Sequence, residues 1–152
     1  MKFNKIGLAI ILLVVVSSMG IVFAESASVG GHSFTIPDGF KEYNSSSDTI
    51  TLAPNSGEDE AIVMMITENV KSMDDAKKYL EDKGYVFQGQ DTYKVGDTEV
   101  DQQNYIKGDY LVLCYVISAG DDYCIITYTM SKDVTPPEGA ANPVSTIINT
   151  IG

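Results

Sequence analysis

The stretch YLVLCYVISAGDDYCIITYT, residues 110–129, constrains the fold more than any other part of the chain. Two apolar segments flank a short polar centre. In the first, Leu111, Leu113, Tyr115 and Ile117 fall on one side of a strand, and Tyr110, Val112, Cys114 and Val116 on the other. In the second, Tyr123 and Ile125 oppose Cys124, Ile126, Tyr128 and Met130. Side chains alternate across a strand. A sheet with one face in water would alternate apolar with polar. Here both sides are apolar, so the pattern predicts a hairpin covered above and below.

The turn decides where the two cysteines lie. A three-residue loop, Ser118-Ala119-Gly120, would pair Ile117 with Asp121 and set Cys114 opposite Cys124, within disulfide reach. A two-residue loop, Gly120-Asp121, would pair Ala119 with Asp122. Cys114 would then face Thr127, and Cys124 would face Ile117. A one-residue change of register sends a side chain to the other face, so the second turn keeps the thiols apart. It also gives one face richer in large apolar groups. Cys114 and Cys124 stand as a candidate disulfide under the first register only.

Other elements flank this hairpin. Residues 33–36 alternate as a short strand and end at Pro37-Asp38-Gly39, a turn sequence. Residues 48–52 read as a second strand, and AIVMMIT (61–67) as a buried one. Ser72 and Asp75 form a variant capping box for a helix with Met73, Ala76, Tyr79 and Leu80 as its apolar stripe and Gly84 at its end. Gly96-Asp97 is a hairpin turn. Lys107-Gly108-Asp109 interrupts the strand pattern. Val144, Ile147, Ile148 and Ile151 mark a short C-terminal helix, with Asn142 as cap and Pro143 in its first turn. No internal repeat stands out.

The first 24 residues follow a different rule. Lys2 and Lys5 precede the apolar run 6–16, and Val22 and Ala24 occupy the −3 and −1 positions of a cleavage site. This is the pattern of a secretory signal peptide over residues 1–24. Retained, the same segment is long enough to anchor the chain in a thin bilayer. Residues 25–31, ESASVGG, read as a flexible lead. The chain carries 10 Lys and no Arg against 21 acidic residues. Losing Lys2 and Lys5 takes the formal charge from −11 to −13. Such a surface repels nucleic acid and anionic lipid. Without Arg it also lacks the best bidentate anion clamp. The expected location is secreted or extracytoplasmic, with no membrane contact by residues 25–152 unless the N-terminal segment stays attached.

The opening F-x-I-P-x-G-F (FTIPDGF, residues 34–40) comes first. A strand, a loop, AIVMMIT, the capped helix, a run of antiparallel strands and a closing helix follow it. In this order the chain resembles the PsbP-like superfamily over roughly residues 30–151. That resemblance implies an α+β fold in which an antiparallel β-sheet is packed between helices, an α-β-α sandwich, as a single domain over residues 32–152. The superfamily includes photosystem accessory proteins and small exported proteins. It shares no catalytic constellation to place on this chain.

Few residues suggest chemistry. His32 is the sole histidine, and no Ser-His-Asp or Cys-His arrangement accompanies it. Asp97, Glu99 and Asp101 recur at alternate positions and could attract Ca²⁺, although no EF-hand spacing is present. Asn44-Ser45-Ser46 is a glycosylation sequon. Tyr105, Tyr110, Tyr115, Tyr123 and Tyr128 could form a stacking surface. The residues point to a non-enzymatic exported accessory domain that binds a protein or envelope component. A weak Ca²⁺-binding module and a carboxylate-dependent hydrolase are the alternatives.

Overall fold

The computed structural model describes residues 24–152. The signal segment predicted over residues 1–24 lies almost wholly outside them. Nine strands and two helices follow in order: β1 (Ser26–Val29), β2 (His32–Thr35), β3 (Phe40–Ser45), β4 (Thr49–Pro54), β5 (Ala61–Ile66), α1 (Met73–Asp82), β6 (Val86–Val95), β7 (Thr98–Lys107), β8 (Tyr110–Ala119), β9 (Asp122–Ser131) and α2 (Val144–Thr150). Among the described residues, no helix is long and apolar enough to cross a membrane.

Strands β3 to β9 form one antiparallel sheet in the order β3-β4-β5-β9-β8-β7-β6. The chain leaves the sheet centre after β5, crosses one face as α1, and re-enters at the far edge as β6. From there it meanders back to β9 beside β5. Three turns drive the meander, at Gly96-Asp97, Gly108-Asp109 and Gly120-Asp121, and each joins ten-residue strands. In each turn the glycine has positive φ, near 60°, and the aspartate does not. That is the type II′ hairpin turn, whose twist matches the strands it joins. Gly108-Asp109 is therefore a connector of the pattern rather than a break in it. The glycines recur every twelve residues, a short-range repeat hidden by the dissimilar strands between them.

Both faces are covered, as the two-sided apolar hairpin predicts. On one face, Val70, Ala76 and Leu80 pack on Tyr105, Val112, Cys114 and Ile125. On the other, Val144 and Ile147 pack with Leu113, Tyr115, Cys124, Ile126 and Met130. Two short helices do not span the sheet, and the second face is completed by the β1–β2 hairpin. Its Val29 and Phe34 join the same cluster.

Residues 25–31 are accordingly not a flexible lead. Ser26–Val29 pairs in antiparallel register with β2, and Gly30-Gly31 makes the turn. Gly30 has φ of 56°, and a Cβ there would sit 2.5 Å from Ile66. No other residue type allows that approach. The hairpin is pinned from the far side too: Thr35 N–H donates to Thr150 Oγ1 at 2.9 Å, and Gly152 N–H to Ser33 O at 3.1 Å.

The helix ends follow their sequence signals. Ser72 Oγ accepts from Asp75 N–H at 3.1 Å. Asp75 Oδ2 accepts from Lys71 N–H at 3.0 Å, one residue earlier than a standard capping box requires. Gly84 N–H reaches Glu81 O and Tyr85 N–H reaches Leu80 O, a Schellman closure. Asn142 Oδ1 accepts from Val144 N–H at 3.0 Å, so its side chain caps α2.

Candidate functional site

The register of β8 and β9 settles the cysteines. Ala119 pairs with Asp122, Cys114 with Thr127, and Ile117 with Cys124. The two-residue turn therefore puts Cys114 on the α1 face and Cys124 on the α2 face. Both are free thiols, and the candidate Cys114–Cys124 disulfide is ruled out because the sheet itself stands between them. Burial pushes each thiol up to about 12. A thiol held protonated is a poor nucleophile, so neither cysteine is equipped for catalysis.

Asp97, Glu99 and Asp101 also fail to converge. Asp97 sits in the β6–β7 turn, Glu99 lies across from Lys94, and Asp101 accepts from Thr92 Oγ1 at 2.6 Å. Among the described residues, no group of three or more His, Cys, Asp or Glu side chains could hold a metal ion. Asn44 is exposed on β3, beside the bulge between Glu42 and Asn44. His32 Nε2 lies 2.8 Å from Asp122 Oδ2 and ties β2 to the β8–β9 turn. The tyrosines do not make one stacking surface. Tyr105 is buried on the α1 face, and Tyr115 and Tyr128 are buried on the α2 face. Tyr110 and Tyr128 instead donate to Asp59 and Glu60 of the β4–β5 loop.

A concavity lies elsewhere, over β6 and β7 on the α2 face. Toward Val95 and Val100 that face is closed by packing with α2. Toward Asp91 and Asn104 it opens into a cleft of about 540 Å³, walled by the loop 132–143. That volume is in the ordinary range for small-ligand sites. A bulge in β6 supplies the lining. Phe87 pairs with Tyr105 and packs on the α1 face, yet Gly89 pairs with Asn104 and starts a row on the other face. An extra residue in a strand re-aims the side chains that follow it. Here it turns Asp91 and Tyr93 into the cleft beside Gln102 and Asn104.

A hydrogen-bonded chain runs beneath the cleft. Asn142 Oδ1 is committed to Val144 N–H, so its Nδ2 donates to Tyr115 Oη at 2.8 Å. The Tyr115 hydroxyl donates to Gln102 Oε1, also at 2.8 Å. Gln102 Nε2 in turn donates to Asn104 Oδ1 at 2.8 Å. The Asn104 Nδ2 donor is left at the end of the chain, facing the cleft. Burial is the main reason the Tyr115 hydroxyl loses its proton only at far higher pH than a free phenol. Burial likewise raises Tyr93, whose hydroxyl is enclosed and makes no well-formed hydrogen bond, although Tyr115 lies close enough to influence its ionisation.

No residue of this cleft stood out in the sequence. Gln102 and Asn104 sit in a polar strand segment that reads as a wet face. Asn142 reads as a helix cap, which it is, but its second hydrogen bond depends on a partner 27 positions away.

No protein-family model matches the chain, and no curated protein matches it. Solved structures do. The solution structure of cyanobacterial PsbP (CyanoP) from Synechocystis sp. PCC 6803 superposes with a TM-score of 0.51 at 14% identity, covering 75% of this chain and 85% of that one. A crystal structure from Bacteroides thetaiotaomicron VPI-5482 superposes with a TM-score of 0.53 at 13% identity. That match covers 86% of this chain, which spans about half, 48%, of the Bacteroides chain. At such identities the likeness concerns architecture. The chain, an antiparallel sheet with helices on both faces, has a PsbP-like fold.

Proposed function

We propose that this is a non-enzymatic accessory domain, carried on an exported chain, that binds a partner or ligand through the cleft between β6–β7 and the loop 132–143. One observation carries the reading: the cleft sets the amides of Gln102, Asn104 and Asn142, which hydrogen bonds hold in place, beside the carboxylates of Asp91 and Glu138. Catalysis by a nucleophile needs a base within hydrogen-bond reach, and the lining contains no Ser, Cys or His and two threonines, of which Thr92 donates to Asp101. The N-terminal pattern supports export, and the PsbP-like architecture is in keeping with an accessory role.

The test is retention. Full chain recovered from its native export route is immobilised and exposed to an extract of the extracytoplasmic fraction, alongside an Asp91→Ala variant. Reproducible retention of one component by the wild type, lost in the variant, is the expected result. Equal retention by both, or none, overturns the binding reading. Mass spectrometry of the exported protein tests the location separately, with a new N-terminus at Glu25 expected.

A further inference from the structure

We infer that the cleft takes a neutral polyhydroxylated ligand, a short glycan segment, and this rests on the cleft being a binding site as proposed above. The chemistry presented there is mixed. Asn104 Nδ2 is the donor left at the end of a hydrogen-bonded chain that runs from Val144 N–H through Asn142, Tyr115 and Gln102. Asp91 and Glu138 supply carboxylate acceptors along the same walls. A matching ligand has to accept from an amide and donate to carboxylates over a short distance. Adjacent hydroxyl groups do both, because each O–H is at once a donor and an acceptor.

Other ligand classes fit less well. An anion would face Asp91 and Glu138 with no Arg anywhere in the chain to offset them. Lys94 lines the cleft as well, but it is one cation against two carboxylates and lies across from Glu99 in the sheet. A purely apolar ligand would strip water from the Asn104 amide and from Asp91 without replacing their hydrogen bonds, a cost that a polar site imposes on any analogue lacking the matching groups. An extended peptide binds best where a sheet edge offers free backbone groups. Strand β6 is such an edge, but the cleft opens over its face, between Gln102 and Asn104 of β7 and the loop 132–143. The facing wall contains Pro136 and Pro137, which have no N–H to give. Two proline rings do offer a C–H surface of the kind that packs on the apolar face of a sugar ring.

Saturation-transfer NMR with purified full chain tests the inference. The probes are maltotetraose, cellotetraose, laminaritetraose, chitotetraose and mannotetraose, with trigalacturonic acid and a Gly-Ser-Thr-Ala peptide for comparison. The expected result is transfer to at least one neutral tetrasaccharide, with affinity about tenfold weaker in Asp91→Ala and in Asn104→Leu, the usual loss when one ligand hydrogen bond is removed and its partner is left bare. Asp91 is exposed, so its variant keeps the fold even if Asn104→Leu does not. Transfer to none of the five neutral probes overturns the inference. So does equal binding by wild type and Asp91→Ala, or transfer confined to the acid or the peptide. In that event the retention experiment still decides the broader binding reading, because a non-glycan partner lost from Asp91→Ala would uphold it.

Discussion

The two faces of the sheet are closed in different ways. On the α1 side a single helix, capped at both ends, lies on a compact apolar group around Tyr105, Val112 and Cys114. The polar residue there, Gln103, is spent internally: it accepts from Tyr105 Oη and donates to Gln90. On the α2 side the apolar cluster is larger, but its cover is assembled from a seven-residue helix, a hairpin and a loop. Where that cover runs out, the buried groups become amides and phenols, and the last amide faces solvent. The contrast teaches that the site is a by-product of incomplete cover. A layer made of several short pieces leaves a gap, and polar side chains make the gap tolerable.

The sharpest break of this comparison is alkaline. Cys114 belongs to one face and Cys124 to the other, and burial holds both thiols near 12. Since each is raised above its unfolded value, each stabilises the fold fully below about pH 9, and that stability is lost as pH climbs toward 12. Each pKa unit is worth about 1.4 kcal/mol, so the two together outweigh any single side-chain deletion. Denaturant unfolding at pH 8 and pH 11 is expected to show a steep fall in stability. In Cys114→Ala/Cys124→Ala the fall becomes shallower, and an unchanged slope would refute the role given to the thiols.

Neighbouring residues on β8 separate the faces next. Leu113 is fully buried on the α2 side, and its truncation to alanine is expected to cost about 3 kcal/mol. Val112→Ala, on the α1 side, removes fewer methyl groups and costs less, about 2 kcal/mol by the same cavity argument. Equal losses, read from urea midpoints, would mean that the α2 side relaxes more readily than its cluster suggests. A smaller effect marks the polar chain. Tyr115→Phe strands Asn142 Nδ2 and Gln102 Oε1 and is expected to cost about 1–2 kcal/mol. Smallest is Tyr93→Phe. Its hydroxyl makes no well-formed bond, so thermal unfolding is expected to move by less than about 0.5 kcal/mol, toward greater stability.

Legibility in the sequence tracked distance along the chain. The Ser72 cap, the Gly84 stop and the Gly120-Asp121 turn are local and visible as residue types. Two-sided cover was visible in the double apolar rows of β8 and β9. The strand Ser26–Val29 was not, because its sequence is small and polar and its pairing is set by the Gly30 approach to Ile66. Strand β3 was missed for a similar reason, since five of its six residues are exposed. The twelve-residue spacing of Gly-Asp pairs was available and would have shown the meander's equal strands. The cleft was not available. It depends on a bulge that flips Asp91 and Tyr93 to the other side, and on a loop whose position no local pattern records.

The evenly spaced turns carry a consequence for how the chain assembles. Each hairpin of the meander joins residues close in sequence, whereas β5 reaches β9 only by bringing Ala61 to Thr129. Short closures form earlier than long ones, because the entropy of joining distant segments has to be met before their contacts stabilise them. The β6–β9 meander, with the longest strands, is therefore expected to form before β5 docks on β9. Pulse-labelled amides of β7 and β8 are expected to acquire protection ahead of those of β4, so that a growing chain stays unassembled until its final third is present.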